Sequence, residues 1–373
     1  MVASAQGTSG RTLGMRRADP TEQDYLGALD PGAAPLTGTV SPTDPTLLTE
    51  RSYISALTSG GQSTTNSFWA DFRDPGARKW ETGTTTGTTA TAGTAGGTVY
   101  YYIDPAGSYS AAEVQGIRGT LSLWSAVANI QFVQTTTLGQ ADFSYIRNNG
   151  GYANAGPIHY RVTGTQVARD LTGTPGTRGS LDAGTRISID PGVQSFSRID
   201  SLTANGGYGT ATLVHEEGHI LGLGHGANYD ASQGGNYAAA QNNQFDSRQW
   251  TTMSYISPSN TSARFYNSYS VTGTNWGSSN GIERAPTTWM PLDILAVQQL
   301  YGVSASGPLN VGQTFGFNTT LAPSTNIRDF FDFTVNTTPV VTLYDTARGN
   351  TLDLSGYGTA STIDLRDGHF SSA

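Results

Sequence analysis

The stretch HEEGHILGLGH runs from His215 to His225 and contains three of the five histidines in the chain. His215 and His219 are four residues apart, so a helix would place both imidazoles on the same face. Two imidazoles arranged in this way can bind one metal ion through their ring nitrogens, and Glu216 can lie beside the ion as a general base toward water. The spacing therefore predicts a metal-binding helix of the HExxH type.

The third histidine separates this stretch from a short motif that arises by chance. A lone HExxH is also compatible with two solvated histidines on a helix, but a glycine and a third histidine at fixed offsets make that interpretation much weaker. Gly222 can end the helix because glycine tolerates positive φ, and the chain can then return His225 to the same ion. Three imidazole ligands leave a position open for water, which is the catalytic zinc pattern. Iron and copper also accept imidazole, but the adjacent glutamate favours hydrolysis over redox chemistry.

The composition excludes several classes of site and partner. The 373 residues include no cysteine, so the chain has neither disulfides nor thiolate ligands and cannot use a cysteine-based zymogen latch. A net charge of −8 with 13% charged residues argues against nucleic acid and against an anionic membrane surface as the main partner. No apolar run reaches the length of a membrane span, so we expect no membrane insertion. The N-terminus lacks an apolar signal-peptide segment, whereas 47 glycines are typical of an exported, loop-rich protein, and composition leaves the location open.

The chain divides into three predicted regions. Residues 1–45 are rich in proline, glycine, alanine and threonine without periodicity, which predicts a flexible N-terminal tail or a removable leader. Residues 46–303 form the predicted metal-binding domain, which begins with a short helix from Leu47 to Gly60 and includes a solvated loop from Thr82 to Thr98. Residues 304–373 contain short alternating segments, FFDFTVN, VVTLYD, TLDLSGY and TIDLRDG, which predict strands of a second domain.

Within the central region, strands and helices alternate. The segments VYYYI, IQFVQ, ADFSYI and RISID are predicted strands. A capping box from Ser110 to Glu113 opens a predicted helix with apolar residues at helical spacing. The metal-binding helix is predicted to begin near Thr210, and the segment PLDILAVQQLYG predicts a last helix that ends at Gly302.

Four segments resemble a known family in the same order along the chain. The pattern HExxHxxGxxH resembles the metzincin clan of zinc endopeptidases, and DSRQWTTMSYIS resembles the methionine-containing turn of the serralysins, which are secreted bacterial metalloproteases. Tyr255 follows Met253 by two residues, as in serralysins, whereas matrix metalloproteinases usually have proline there. PLDILAVQQLYG resembles the last helix of the serralysin catalytic domain, and TLDLSGYGTASTIDLRDGHFSS resembles the opening of its calcium-binding β-domain.

This resemblance implies a fold and a function. The implied fold class is α+β: a metzincin-type catalytic domain with a twisted, mainly parallel sheet, long helices and a zinc cleft, followed by the beginning of an all-β calcium-binding domain. The implied function is a secreted, extracellular or cell-surface zinc endopeptidase that acts as a monomer on proteins or peptides. The implied cofactors are zinc and calcium, and the implied zinc ligands are His215, His219 and His225. The catalytic residues would be Glu216 as general base and Tyr255, which would leave the zinc when substrate binds and stabilise the oxyanion.

The sequence also departs from the family. Gly226 follows the third histidine where serralysins usually have proline, and Glu217 occupies a position that is usually apolar. We expect Glu217 to face solvent, the alternative being that it tunes the metal site. Arg348 lies within an eroded calcium pattern, and the glycine- and aspartate-rich repeats of the family do not follow it. The possible calcium ligands, which could equally be turn and strand-edge acids, are Asp345, Asn350, Asp353 and Asp367.

Two alternatives to the enzyme stay open at this level. One is a catalytically silent relative that binds protein or a surface polymer through the same cleft, and the other is a structural calcium-binding surface protein. Asp293 near the start of the last helix is expected either to brace the methionine turn or to serve only as a helix N-terminal acid.

Overall fold

A computed structural model of the chain describes residue 80 and residues 93–155, 159–163, 166–170, 186–196, 198–226, 229, 237–241, 245–260, 284–365 and 370–373. The helices within these residues are α1 (Ala111–Val127), α2 (Tyr208–Ile220), α3 (Tyr237–Ala240), α4 (Pro291–Tyr301) and α5 (Arg328–Phe331). The strands are β1 (Gly97–Ile103), β2 (Ile130–Gln134), β3 (Phe143–Arg147), β4 (Ala153–Ala155), β5 (His159–Thr163), β6 (Gln166–Asp170), β7 (Arg186–Ile189), β8 (Thr314–Gly316) and β9 (Thr351–Asp353). The predicted leader and the predicted helix from Leu47 to Gly60 lie outside the described residues.

The main sheet has five strands in the order β2-β1-β3-β7-β4. Neighbouring strands are parallel except for β4, which pairs antiparallel with β7 at one edge of the sheet. The mainly parallel sheet that the sequence predicts is therefore confirmed. Strands β5 and β6 form a separate antiparallel hairpin that the sequence analysis did not identify.

Helices α1 and α2 pack against each other, and they join the sheet to helix α4. The predicted capping box is present: the Ser110 hydroxyl accepts the Glu113 N–H, and the Glu113 carboxylate accepts the Ser110 N–H. Helix α2 begins at Tyr208, two residues before the predicted start at Thr210, and nearly all of its side chains are buried. Helix α4 ends at Tyr301, and Gly302, with a φ of 76°, is the predicted stop residue directly after it. No helix among the described residues is long and apolar enough to cross a membrane.

The region after Ser304 differs from the predicted run of strands. The segment FFDFTVN begins within the short helix α5 instead of a strand, and VVTLYD has no assigned strand. A strand places successive side chains on opposite faces, yet the adjacent Phe330 and Phe331 are both buried, because α5 packs Phe330 near Gly119 and Phe331 near Trp289. Only β9 of TLDLSGY is confirmed, and it pairs in parallel with β8. Aromatic residues on both sides of Ser304 belong to one hydrophobic cluster. The division of the chain into two domains near Ser304 therefore stays a prediction.

Two aromatic side chains cap the end of the central helix. The Trp80 indole Nε1–H donates to the Ile220 carbonyl at 2.9 Å, and the Tyr301 hydroxyl donates to the Leu221 carbonyl at 2.7 Å. The Tyr301 hydroxyl also accepts the Trp80 N–H at 3.2 Å. The last carbonyls of a helix have no partner within it, so these donors satisfy groups that burial would otherwise leave without a hydrogen bond. The end of α2 is thus anchored to residues 80 and 301, far from it in sequence.

Candidate metal centre

A glycine turn ends helix α2 and directs the chain back toward it. Gly222 has a φ of 98°, its N–H donates to the His219 carbonyl, and the Leu223 N–H donates to the Gly218 carbonyl, each at 2.9 Å. This pair of bonds is the Schellman motif, in which a residue with positive φ follows the helix. The Leu223 carbonyl then accepts a hydrogen bond from His219 Nδ1 at 2.8 Å. The predicted turn at Gly222 is confirmed, and it both ends the helix and orients a histidine.

The three motif histidines converge through their Nε2 atoms. The Nε2–Nε2 distances are 3.0 Å between His215 and His219, 3.1 Å between His219 and His225, and 3.3 Å between His215 and His225. Tetrahedral zinc with Zn–N bonds of about 2.0–2.1 Å would separate two nitrogens by about 3.3 Å. Among the described residues this is the only group of three or more His, Cys, Asp or Glu side chains that could hold a metal ion. The donor set therefore fits zinc.

Backbone carbonyls fix the orientation of all three imidazoles. His215 Nδ1 lies 2.7 Å from the Thr252 carbonyl, and His225 Nδ1 lies 2.8 Å from the Tyr229 carbonyl. A carbonyl only accepts, so each Nδ1 carries the hydrogen and each Nε2 presents a lone pair to the common point. Burial and the neighbouring imidazoles lower the pKa of His215 to about 3 and that of His219 well below 6.5. The rings of His215 and His219 are therefore neutral at neutral pH, the state that binds a metal ion.

The methionine turn packs directly beneath helix α2. Met253 is fully buried, and a Cβ added at Gly218 would lie 2.6 Å from its sulfur atom. A side chain at Gly218, the residue directly before the histidine ligand His219, would collide with the methionine unless Met253 moved. Met253 packs against helix α2 at Gly218 and contributes no ligand to the group of histidines.

Asp293 braces this turn from the start of helix α4. Its carboxylate accepts hydrogen bonds from the Thr252 N–H at 2.8 Å, from the Thr252 hydroxyl at 2.9 Å and from the Met290 N–H at 2.8 Å, and it also accepts the Thr251 hydroxyl. The carbonyl of the same Thr252 holds His215. The prediction that Asp293 braces the turn is confirmed, and the alternative that it is only a helix N-terminal acid is wrong, although it also caps helix α4 through the Met290 N–H. Burial raises its pKa to about 6 against these hydrogen bonds.

Glu216 lies on the metal-binding helix with its carboxylate toward the edge of the sheet. Its side chain is 6% exposed and accepts a hydrogen bond from the Ala155 N–H of β4. Burial raises its pKa to about 8. A cation at the three histidines would act in the opposite direction, because an opposite charge nearby favours the ionised carboxylate.

The expectation that Glu217 faces solvent is wrong. Its side chain is 1% exposed, and Oε1 accepts hydrogen bonds from the Thr120 hydroxyl of α1 and the Tyr145 hydroxyl of β3, both at 2.7 Å. Helix α2 passes through the interior, so the rule that carboxylates lie at the surface does not apply on any of its faces. Burial raises the pKa of Glu217 to about 8, and the two hydroxyl donors lower it in part.

Tyr255 lies against the histidines through its ring. Its centroid is 4.5 Å from that of His225 and 5.6 Å from that of His215, and the side chain is partly exposed. The sequence analysis missed Tyr229, whose carbonyl holds His225 and whose ring centroid is 5.2 Å from that of Tyr255. No motif marks Tyr229 in a single sequence, since its contribution comes from a backbone oxygen and a packed ring.

Among the described residues, the side chains suggested as calcium ligands mainly accept hydrogen bonds from backbone N–H groups. Asp345 Oδ1 accepts the Ala347 N–H at 2.6 Å, and Asn350 Oδ1 accepts the Gln313 N–H at 2.7 Å. Asp353 Oδ1 accepts the Ser355 N–H at 2.8 Å, and its other oxygen accepts the Asn318 amide. Asp367 lies outside the described residues.

Comparison with known proteins extends the resemblance beyond the motifs. The chain is 30% identical over 250 residues to the metallopeptidase AprA of Pseudomonas marginalis, covering 66% of this chain and 45% of the relative. It is 30% identical over 275 residues to a serralysin of Photorhabdus laumondii, covering 73% of this chain and 49% of the relative. No protein-family model matches the chain. The resemblance to serralysins is confirmed, and the chain spans about half the length of the curated relatives it matches.

A solved structure with some likeness is high choriolytic enzyme 1, a hatching-enzyme zinc protease from the medaka Oryzias latipes. It is 18% identical to this chain, with a TM-score of 0.29 over 55% of this chain and 88% of the other. A TM-score of this size does not establish a common fold.

The first prediction concerns the brace on His215. Asp293→Ala removes the acceptor that fixes Thr252, so the Thr252 carbonyl should orient His215 less well. We expect metal affinity to fall by roughly 10- to 100-fold, the usual cost of losing an outer hydrogen-bond partner of a metal ligand. Competition with a chromogenic chelator measures this affinity. Asp332→Ala is the matched control, because Asp332 caps Thr334 in the same way at a distant turn; equal losses in both variants would contradict the brace.

The second prediction concerns the buried carboxyl of Glu217. Its pKa is about 8 in the fold and near 4.5 in an unfolded chain, so the folded state binds the proton more tightly. The stability that this group contributes is complete below about pH 4.5 and is lost as the pH rises through about 8. Glu217→Gln lacks this titration, so its free energy of unfolding should rise relative to wild type with increasing pH, by on the order of a few kcal/mol. Urea unfolding at about pH 5 and about pH 8.5 tests this; a difference that does not change with pH would refute the assignment.

Proposed function

We propose that this relative of the serralysins is a zinc-dependent endopeptidase that hydrolyses peptide bonds within proteins. The observation that carries the proposal is the convergence of His215, His219 and His225, whose Nε2 atoms lie 3.0–3.3 Å apart while backbone carbonyls hold their Nδ1 atoms. Sequence similarity to metallopeptidases over two thirds or more of the chain supports the same class of reaction.

Glu216 is the general base in this proposal. Zinc, when bound by the three histidines, would polarise the scissile carbonyl and water as a Lewis acid. Glu216 accepts the proton that water loses as its oxygen attacks the carbonyl carbon, and it then delivers that proton to the leaving amine when the C–N bond breaks. The Ala155 N–H holds the carboxylate in place from the edge strand. The burial of Glu216 strengthens its electrostatic interaction with a bound cation.

The same edge of the sheet offers a binding mode for the substrate. Strand β4 lies at one end of the described five-stranded sheet and pairs with β7 on one side only. An extended peptide can add to such an edge through main-chain hydrogen bonds, which suits substrates of varied sequence. Because Ala155 of β4 contacts Glu216, a peptide on this edge would lie beside the proposed base.

Tyr255 completes the proposed site. Its ring lies against His215 and His225, and the side chain is partly exposed. On the likeness to serralysins, its hydroxyl would contribute a further ligand to bound zinc at rest and would donate a hydrogen bond to the developing oxyanion during hydrolysis, where such a donor lowers the barrier.

The location, oligomeric state and domain organisation of the protein are part of the same proposal. Secretion, action as a monomer, an N-terminal leader at residues 1–45, a catalytic domain at residues 46–303 and a β-domain beginning at residue 304 follow from the likeness to serralysins. Calcium in the last region is proposed on the same likeness, and buried Asp345 is the carboxylate best placed to contribute a ligand.

The third prediction separates Glu216 from Tyr255. Glu216→Gln keeps the shape but removes the base, so kcat should fall by about 10²-fold or more. Tyr255→Phe keeps the ring packing but removes the hydroxyl, so kcat should fall by roughly 10- to 10³-fold with little change in KM. Both variants should retain zinc, since the three histidines are unchanged. Kinetics on a quenched peptide, with metal analysis of each preparation, measures these effects.

Zymography on casein with and without a chelator provides the control. Chelator-sensitive clearing by wild type and none by Glu216→Gln is the expected result. A catalytically silent relative that only binds protein would retain zinc and clear no casein. Nearly full kcat in Tyr255→Phe would reduce Tyr255 to a packing residue.

The fourth prediction concerns the leader. Self-processing should give a new N-terminus before Trp80, because Trp80 is buried and caps helix α2. N-terminal sequencing after incubation should show this start in wild type but not in Glu216→Ala. An intact N-terminus in both proteins, or a start beyond residue 80 in fully active enzyme, would contradict the prediction.

A further inference from the structure

We propose that Tyr229 is a positioning residue that fixes the backbone of Tyr255 and thereby defines the pivot about which the Tyr255 side chain turns. The inference rests on the proposed function and adds a residue that the metal-binding motif does not contain. Its basis is a set of contacts in which one side chain joins the segment that follows the metal-binding motif to the methionine turn.

Tyr229 contacts both a proposed metal ligand and the backbone of Tyr255. Its carbonyl accepts the hydrogen bond of His225 Nδ1 at 2.8 Å, and its ring stacks on His225 with the centroids 5.5 Å apart. Its hydroxyl accepts the Tyr255 N–H at 3.2 Å and donates to Asp246 Oδ1 at 2.7 Å. A shift of Tyr229 would therefore change the position of a metal ligand and of the Tyr255 backbone together.

The residues beside Tyr255 are held by the same acceptor. Asp246 Oδ1 also accepts the Ser254 hydroxyl at 2.7 Å, and that hydroxyl accepts the Ile256 N–H at 3.0 Å. The chain is thus hydrogen-bonded before, at and after Tyr255.

The residues that hold the Tyr255 backbone are more deeply buried than the Tyr255 side chain itself. Tyr229 is 4% exposed, Asp246 is fully buried and Ser254 is 1% exposed, whereas the Tyr255 side chain is partly exposed. The Tyr255 ring is in contact with the rings of His215, His225 and Tyr229. A backbone fixed by buried hydrogen bonds is what a group needs if its side chain must leave one position and reach another reproducibly.

A double-mutant cycle distinguishes positioning from a general loss of stability. Tyr229→Phe keeps the ring and the carbonyl to His225 but removes the hydroxyl, so we expect kcat to fall roughly 10-fold with KM unchanged and zinc retained. In the Tyr255→Phe background the same substitution should cost little, because the hydroxyl that it positions is already absent. Tyr109→Phe is the matched control: it removes a hydroxyl that donates to the Ile146 carbonyl, away from the histidines, and should leave kcat unchanged.

Amide hydrogen exchange by NMR gives a readout that does not depend on activity. In Tyr229→Phe the Tyr255 N–H loses its acceptor and should exchange faster, whereas the Thr252 N–H, which Asp293 holds, should exchange at the wild-type rate. Equal falls in kcat in both backgrounds, or unchanged exchange at Tyr255, would overturn the inference. An inactive wild-type protein would refute the proposed function instead, and the exchange measurement would still test the position of Tyr229.

Discussion

Three imidazole nitrogens with lone pairs directed at one point repel each other unless a cation lies between them. In this chain His215, His219 and His225 hold their Nε2 atoms 3.0–3.3 Å apart in a buried site, and each ring is turned into that position by a backbone carbonyl. The arrangement costs free energy without a metal ion and gains it with one, because zinc binds neutral imidazole. Contacts from several other elements hold these three rings in place.

Residues from several elements of the fold hold the three histidines in position. Asp293 of α4 holds Thr252, the Gly222 turn brings Leu223 onto His219, and Tyr229 holds His225. Trp80 and Tyr301 cap the end of helix α2, and Glu217 links the middle of that helix to α1 and β3. A helix fixed at its end and along its length cannot rotate Glu216 away from β4, and this coupling connects core packing to catalysis.

The parts of the site that lie close together in sequence could be predicted from it. The histidine spacing, the turn at Gly222 and the capping box at Ser110 each depend on local geometry, and the structure confirms them. Glu217 could not be placed, because its burial depends on α1 and β3 packing on the far side of the helix. Tyr229 and Trp80 were missed for a similar reason. Tyr229 acts through its carbonyl and Trp80 through its indole N–H, and only the tertiary fold brings these groups to their partners. The segment FFDFTVN has an alternating pattern, yet tertiary packing buries two adjacent phenylalanines there and a helix forms.

The central claim is that the three histidines and Glu216 form one zinc-dependent hydrolytic site. Its most direct test is to strip the purified chain of metal and titrate zinc back while following hydrolysis of a peptide substrate and zinc binding in the same sample. The account predicts that activity returns in proportion to bound zinc and is complete at about one ion per chain, whereas Glu216→Gln binds the same ion and recovers no comparable activity. Activity in the stripped protein, or zinc binding that restores no hydrolysis to wild type, would contradict it.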